Sequence, residues 1–117
     1  MYYIFGDIHG SMVKLEKLYN RVSGRISDTD TVIFLGDYID RGKFSFEVIE
    51  FLRSIASDNM FFLKGNHEAM LFDYIAGEVD HSLYTYNGGD ATIRSYKKHT
   101  GSFNPGEEHR SFFEGLI

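Results

Sequence analysis

Three short apolar runs in this sequence each end in a cluster of glycine and polar residues, and this repeated arrangement constrains the fold most. The runs are Tyr2 to Phe5, Thr31 to Leu35 and Met60 to Leu63. Their aromatic and β-branched residues are typical of buried parallel strands. The clusters that follow are Gly6-Asp7-Ile8-His9-Gly10, Gly36-Asp37-Tyr38-Ile39-Asp40-Arg41-Gly42 and Gly65-Asn66-His67-Glu68. Because the carboxyl ends of parallel strands lie at one edge of a sheet, we predict that the three clusters meet in one crevice.

Helical periodicity between the runs predicts an α/β fold. The first helix follows a cap at Ser11 and stops at Gly24, and the second follows a cap at Ser45. A third is predicted to begin near Glu68. The apolar positions of these helices are Met12, Leu15, Leu18, Tyr19 and Val22, then Phe46, Ile49, Leu52 and Ile55, then Leu71, Tyr74 and Ile75. The order predicts a parallel sheet with right-handed crossovers in one domain over residues 1–117.

The last third of the chain has a different pattern. An aromatic and glycine loop is predicted from Tyr84 to Gly89, followed by a helix from Asp90 to about Lys98. Thr100 to Gly106 is interpreted as a turn and Glu107 to Leu116 as one more short helix.

The composition argues against several classes of partner. With 12 Lys and Arg against 17 Asp and Glu, the formal net charge is -5. That balance predicts no basic patch for a polyanion and no nucleic acid partner, and positive charge at the site is expected to come from elsewhere. The absence of cysteine fits a reducing compartment and excludes thiolate metal ligands. The apolar start is too short for a signal peptide or a membrane span, so a cytoplasmic protein without membrane contact is expected.

The polar clusters contain the side chains that a divalent metal site requires. Asp7, His9, Asp37 and Asn66 supply hard oxygen and imidazole ligands at strand ends. Asp37 belongs to the middle cluster and is the natural bridge between two cations about 3.5 to 4 Å apart.

Each residue also has a simpler interpretation. A single Asp or Asn after a strand is usually a turn or helix cap, Arg41 alone would be a surface charge, and Glu68 a first-turn acid. His81, His99 and His109 are interpreted as surface residues or satisfied polar groups. Three such clusters at matching strand ends nevertheless favour a site.

The clusters match the motifs GDxHG, GDxxDRG and GNHE, and the chain therefore resembles the phosphoprotein phosphatase family of calcineurin-like metallophosphoesterases, particularly its bacterial and bacteriophage serine/threonine protein phosphatases. The resemblance is strong from Tyr3 to about Tyr74. It is looser over Tyr86-Asn87-Gly88-Gly89 with Thr92 and Ser95-Tyr96. It implies the parallel-sheet βαβαβα half of that family's α/β sandwich.

The resemblance also implies roles for individual residues. Asp7 and His9 match ligands of the first metal, Asp37 the bridge and Asn66 a ligand of the second, with Mn²⁺ favoured over Fe, Zn or Ni. His67 matches the general acid, Asp40 its charge partner and Arg41 a phosphate-binding arginine. In the implied mechanism, a hydroxide that bridges the metals attacks phosphorus in line and His67 protonates the leaving oxygen.

Part of the family pattern has no counterpart here. Two further histidines for the second metal, a second arginine and the strands of a second sheet are missing from the sequence. We therefore expect a weak or empty second metal site, together with an exposed sheet edge and apolar surface that favour self-association.

Three functions follow as hypotheses. The first is a phosphomonoesterase acting on phosphoproteins or small phosphoesters, with diadenosine tetraphosphate hydrolysis as its nearest variant. The second is a weakly active or inactive remnant that binds metal or a partner. The third, a flavodoxin-like receiver domain with a magnesium site, is disfavoured by the complete Gly-Asn-His-Glu cluster.

Overall fold

A computed structural model describes residues 1–6 and 8–117, and it confirms the predicted α/β fold with a parallel sheet. The strands are β1 (Tyr2–Phe5), β2 (Thr31–Phe34) and β3 (Met60–Phe62), in the order β1-β2-β3. Both neighbouring pairs are parallel, with Ile4 beside Ile33 and Ile33 beside Phe61. Leu35 and Leu63 lie just beyond the strand ends.

The helices are α1 (Met12–Ser23), α2 (Ser45–Ile55), α3 (Asn66–Ile75), α4 (His81–Tyr84), α5 (Asp90–Thr100) and α6 (Gly106–Glu114). A wide, kinked turn, Thr85–Gly89, joins α4 to α5 where the aromatic and glycine loop is predicted, and Gly88 within it has a non-helical φ of 98°. Within the described residues, no helix has both the length and the apolar character needed to cross a bilayer.

The sheet is buried on one face only, which corrects the prediction of fully buried strands. Because the strands follow one another in the order β1-β2-β3, two right-handed crossovers place α1 and α2 on the same face. On that face, the rings of Phe5 and Phe34 stack at 4.8 Å and those of Phe34 and Phe62 at 4.9 Å. The opposite face carries large exposed side chains: Tyr2, Ile4, Leu35 and Phe61.

The predicted cap at Ser45 is wrong, whereas the third helix begins near Glu68 as predicted. Ser45 is the first residue of α2 instead of its cap, and its buried hydroxyl bonds to Thr92. The α3 helix begins at Asn66, two residues before Glu68, because the Glu68 side chain accepts a hydrogen bond from the N–H of Gly65 at 2.9 Å. That hydrogen bond caps the N-terminus of α3 with a side chain from its own first turn.

Candidate active site

Backbone hydrogen bonds join the first two strand-end loops. The N–H of His9 donates to the carbonyl of Asp37 at 2.9 Å, and the N–H of Gly10 donates to that of Tyr38 at 2.7 Å. The N–H of Gly42 donates to the carbonyl of His9 at 2.9 Å. A Cβ on Gly10 would lie 2.7 Å from the Gly42 oxygen, so this contact requires glycine.

The backbone at this edge is held in an unusual conformation. Within the described residues, the non-glycine positions with positive φ are His9 (43°), Asp37 (56°), Asp40 (72°) and Arg41 (72°). All four are predicted site residues. Such conformations cost free energy and persist where surrounding contacts impose them, which is a common property of functional sites.

Glu68 supplies part of that constraint from α3. Its Oε1 accepts the N–H of Asp37 at 2.7 Å, and its Oε2 accepts the N–H of Tyr38 at 2.9 Å. Burial raises the pKa of this carboxyl group, while its backbone donors act in the opposite direction. The sequence suggested only a first-turn acid. In the structure, the Glu68 side chain joins the loop after β2 to the start of α3 through hydrogen bonds.

Three of the four predicted metal ligands can be placed, and Asp7 lies outside the described residues. The Nδ1 of His9 lies 3.1 Å from the carbonyl oxygen of Ile39. Since a carbonyl only accepts, Nδ1 must donate, which leaves Nε2 with a free lone pair in the neutral ring. One oxygen of Asp37 accepts the N–H of His67 at 3.0 Å, and Asn66 is exposed at the start of α3.

This donor set fits a divalent cation. An imidazole fixed through its other nitrogen, a carboxylate with an oxygen to spare and an accessible amide are donors that Mn²⁺ and similar ions accept. Without Asp7, the remaining chain brings together no group of three or more histidine, aspartate or glutamate side chains able to hold a metal. The fit therefore rests on the chemistry of His9, Asp37 and Asn66.

His67 and Asp40 form a buried pair. Nδ1 of His67 lies 2.8 Å from Oδ2 of Asp40, which is fully buried, while the His67 residue is 8% exposed. The ring of His67 meets that of His9 edge-on, with 4.8 Å between centroids. Because Nδ1 is engaged by the carboxylate, the proton available for transfer is the one on Nε2.

The other oxygen of Asp40 is held by residues far along the chain. Tyr84 donates its hydroxyl to Oδ1 at 2.9 Å and Thr92 donates at 2.6 Å. The N–H of Asp40 lies 2.9 Å from Oγ1 of Thr92 and 3.2 Å from Oγ of Ser45. Burial, reinforced by the charge of Asp40, raises the pKa of Tyr84, so its phenol remains a donor.

Sequence reasoning missed Tyr84 and Ser45 in this network and reached Thr92 only through a loose resemblance. All three residues are buried, and no local sequence pattern identifies a buried hydroxyl as a partner of Asp40.

Arg41 is exposed, and the wide turn before α5 positions its backbone. Its N–H donates to the carbonyl of Gly88 at 2.9 Å. Gly88 has a φ of 98°, and a Cβ there would lie 2.7 Å from Cγ of Arg41. Within the described chain, no carboxylate forms an ion pair with the Arg41 guanidinium, so it is available to an anion.

The three remaining histidines have protein partners. His81 lies 2.8 Å from the Tyr74 hydroxyl, and His99 lies 3.2 Å from Glu47. His109 is buried between Tyr96, at 2.7 Å, and Glu50.

Comparison with known proteins identifies relatives of the chain. The family model described as calcineurin-like phosphoesterase matches residues 2–113. The serine/threonine-protein phosphatase 2B catalytic subunit A2 of Saccharomyces cerevisiae is 36% identical over 104 residues, which are 86% of this chain but 16% of that protein.

A solved structure shows the same fold. A protein serine/threonine phosphatase from Saccharomyces cerevisiae, described as similar to human phosphatase PP5, superposes with a TM-score of 0.62 and 24% identity. The alignment covers 98% of this chain and 32% of that one. A putative diadenosine tetraphosphatase gives a TM-score of 0.49 at 29% identity, over 73% of this chain and 40% of that one, which is too distant to bear on function.

Proposed function

The chain belongs to the calcineurin-like phosphoesterase family and is homologous to its serine/threonine phosphatases, and from this premise we propose that it hydrolyses phosphomonoesters of the phosphoserine and phosphothreonine type. The relatives are enzymes of a metal-dependent family. Since the chain spans about a sixth of the curated relative that it matches, its own activity and substrate are proposals.

The buried pair of His67 and Asp40 is the observation that carries this proposal. Hydrolysis of an alkyl phosphate expels an alkoxide, which is a poor leaving group unless it is protonated. A histidine whose Nδ1 is fixed at 2.8 Å from a carboxylate presents Nε2 for that protonation. Asp40 stabilises the imidazolium before the transfer, and Tyr84 and Thr92 keep the carboxylate in place.

In the proposed reaction, the oxygen of water becomes bonded to phosphorus and one of its protons passes to solvent, while the bond from phosphorus to the ester oxygen breaks. The leaving oxygen takes the Nε2 proton of His67, which solvent then replaces. Arg41, which has no carboxylate partner in the described chain, donates to a phosphoryl oxygen and offsets its charge.

We propose that Asp7, His9, Asp37 and Asn66 hold divalent metal, with Mn²⁺ as the ion to test first. When bound, two such cations would supply Lewis-acid stabilisation of the phosphoryl charge and activation of the attacking water. The residues of this chain contribute the anchored imidazole of His9 and the carboxylate of Asp37.

The test is hydrolysis by the purified 117-residue chain with and without Mn²⁺, measured as phosphate release from the monoesters and as nucleotide release from the dinucleotide. The substrates are a phosphoserine peptide, p-nitrophenyl phosphate and diadenosine tetraphosphate. We expect Mn²⁺-dependent release from the first two. Cleavage of the dinucleotide alone would contradict the proposed substrate. Binding of Mn²⁺ without any hydrolysis would show that the isolated chain is a metal-binding remnant and not an enzyme.

We further propose that the isolated chain is cytoplasmic and self-associates through the open face of its sheet. Ile4 and Phe61 flank Ile33 on that face and are 62% and 43% exposed. Contiguous apolar surface of this kind favours association. Light scattering should show a dimer or larger species that Ile4→Glu dissociates, and a monomeric wild-type chain would contradict the proposal.

A further inference from the structure

The fold gathers positive charge beside the site of an acidic protein. The segments 41–43 and 90–98 contain five cations and one carboxylate, although the whole chain has a formal net charge of -5. The expectation that positive charge must come from outside the chain is therefore wrong in this region, since the cations are separated in sequence and joined by the packing of α2 against α5.

Three of these cations surround one groove. Its volume is about 270 Å³, and its lining residues are Lys43, Phe44, Ala91, Arg94, Ser95 and Lys98. Lys43 follows Arg41 by two residues, and Ala91 follows Gly88, the backbone partner of Arg41, by three. The groove therefore begins next to the arginine assigned to the phosphate.

The groove cations are available to an external anion. Among the described residues, no carboxylate forms an ion pair with Lys43 or Lys98. Arg94 bonds to Asp90 at 3.0 Å, but both side chains are largely open to water, at 71% and 45% exposure. An exposed pair of this kind contributes little, so an incoming carboxylate can replace Asp90.

We propose that this groove, called here the basic groove, binds acidic side chains that flank the phosphorylated residue of a peptide substrate. The proposal rests on the proposed phosphatase function and adds a sequence preference to it. The volume lies below the roughly 300–1,000 Å³ of typical small-molecule pockets, which suits side chains better than a nucleotide. Phe44, which is 40% exposed, packs against their methylene groups.

The test is a binding assay that does not require catalysis. Two fluorescein-labelled peptides carry one phosphoserine, flanked on both sides by glutamates in the first and by glutamines in the second. Fluorescence anisotropy with the metal-free chain at low salt gives a dissociation constant for each. We expect the glutamate peptide to bind about 3- to 10-fold more tightly, the effect of two or three exposed ion pairs, with the preference declining as salt is added.

The variants separate the groove from general charge. Lys43→Gln with Lys98→Gln should bring the ratio of the two dissociation constants close to one. Lys97 is an exposed neighbour that does not line the groove, so Lys97→Gln should keep most of the preference for the glutamate peptide. Equal ratios in the double variant and the wild type would overturn the proposal. Displacement of the glutamate peptide by an oligonucleotide of equal charge, or by diadenosine tetraphosphate, at the same concentration would also overturn it.

The outcome is independent of the proposed enzyme activity. If the chain hydrolyses no phosphoester but keeps a glutamate preference that depends on Lys43 and Lys98, the groove assignment stands and the phosphatase function fails. If it hydrolyses both peptides and binds them equally, the function stands and the groove assignment fails.

Discussion

The hydroxyl of Thr92 lies 2.6 Å from Oδ1 of Asp40, a residue 52 positions earlier in the chain. This contact links the first turn of α5 to the carboxylate that holds His67. The general acid assigned to the site thus depends on a helix outside the three glycine-rich clusters.

Removing that hydroxyl should reduce turnover without removing the protein fold. In Thr92→Val the shape is kept and Asp40 loses a donor, so we expect turnover to fall roughly 10-fold, equivalent to about 1.4 kcal/mol. Thr92→Ser restores the hydroxyl and should recover most of the rate. Equal losses in both variants, measured on a phosphoserine peptide, would assign Thr92 a packing role only.

Replacing the assigned acid should affect poor leaving groups most. We expect His67→Asn to lower turnover of a phosphoserine peptide by roughly 100-fold or more, because its alkoxide requires a proton. p-Nitrophenyl phosphate, whose leaving group needs little protonation, should lose less. Metal content by elemental analysis should match the wild type, and an equal loss on both substrates would argue against proton donation by His67.

Asp37→Asn should weaken Mn²⁺ binding, because the bridging assignment gives this carboxylate contact with both ions. Isothermal calorimetry measures the affinity directly and needs no catalysis. Asp28→Asn, a change at an exposed turn, serves as the control. Unchanged Mn²⁺ binding by Asp37→Asn would remove that residue from the metal site.

Two glycines with similar backbone conformations should differ in their tolerance of a side chain. Gly77 and Gly88 have φ values of 79° and 98°, but a Cβ at Gly77 meets no atom within 4 Å, whereas at Gly88 it approaches Arg41. We expect Gly88→Ala to cost at least about 1 kcal/mol more in the free energy of unfolding. Equal urea midpoints for the two variants would contradict this packing.

Acidification should destabilise the chain through His109. The neutral ring accepts from Tyr96 and donates to Glu50. Burial lowers the pKa of this histidine below its usual 6.5, although its contact with Glu50 acts in the opposite direction. The unfolded chain then binds the proton more readily than the folded chain. The contribution of His109 to stability is therefore complete above pH 6.5 and is lost as the pH falls below that value.

The free energy of unfolding, measured from pH 7.5 to 5.5, should therefore decline less in His109→Gln than in the wild type. His81→Gln, a change at an exposed histidine, should retain the wild-type decline. Below pH 4.5 the lowered pKa of Glu50, caused mainly by its bond to His109, adds a second loss. The same slope in wild type and His109→Gln would refute the assignment.

The sequence alone determined the strands, the parallel sheet and the meeting of the glycine-rich loops. Apolar runs rich in aromatic and β-branched residues specify strands, and parallel strands with helical crossovers place all of their carboxyl ends at one edge. The Gly10 and Gly42 contact shows why those loops contain glycine: the backbones approach too closely for a Cβ.

Tertiary structure decided which groups support the site. Glu68 fits the interpretation of a helix-start acid equally well, and only the packing of α3 shows that it binds the N–H groups of Asp37 and Tyr38. Thr92 follows its partner Asp40 by 52 residues. Lys43 and Lys98 of the basic groove are about as far apart in the chain. Local periodicity carries no information about such pairs, because their distance is set by how α2 and α5 pack after both have formed.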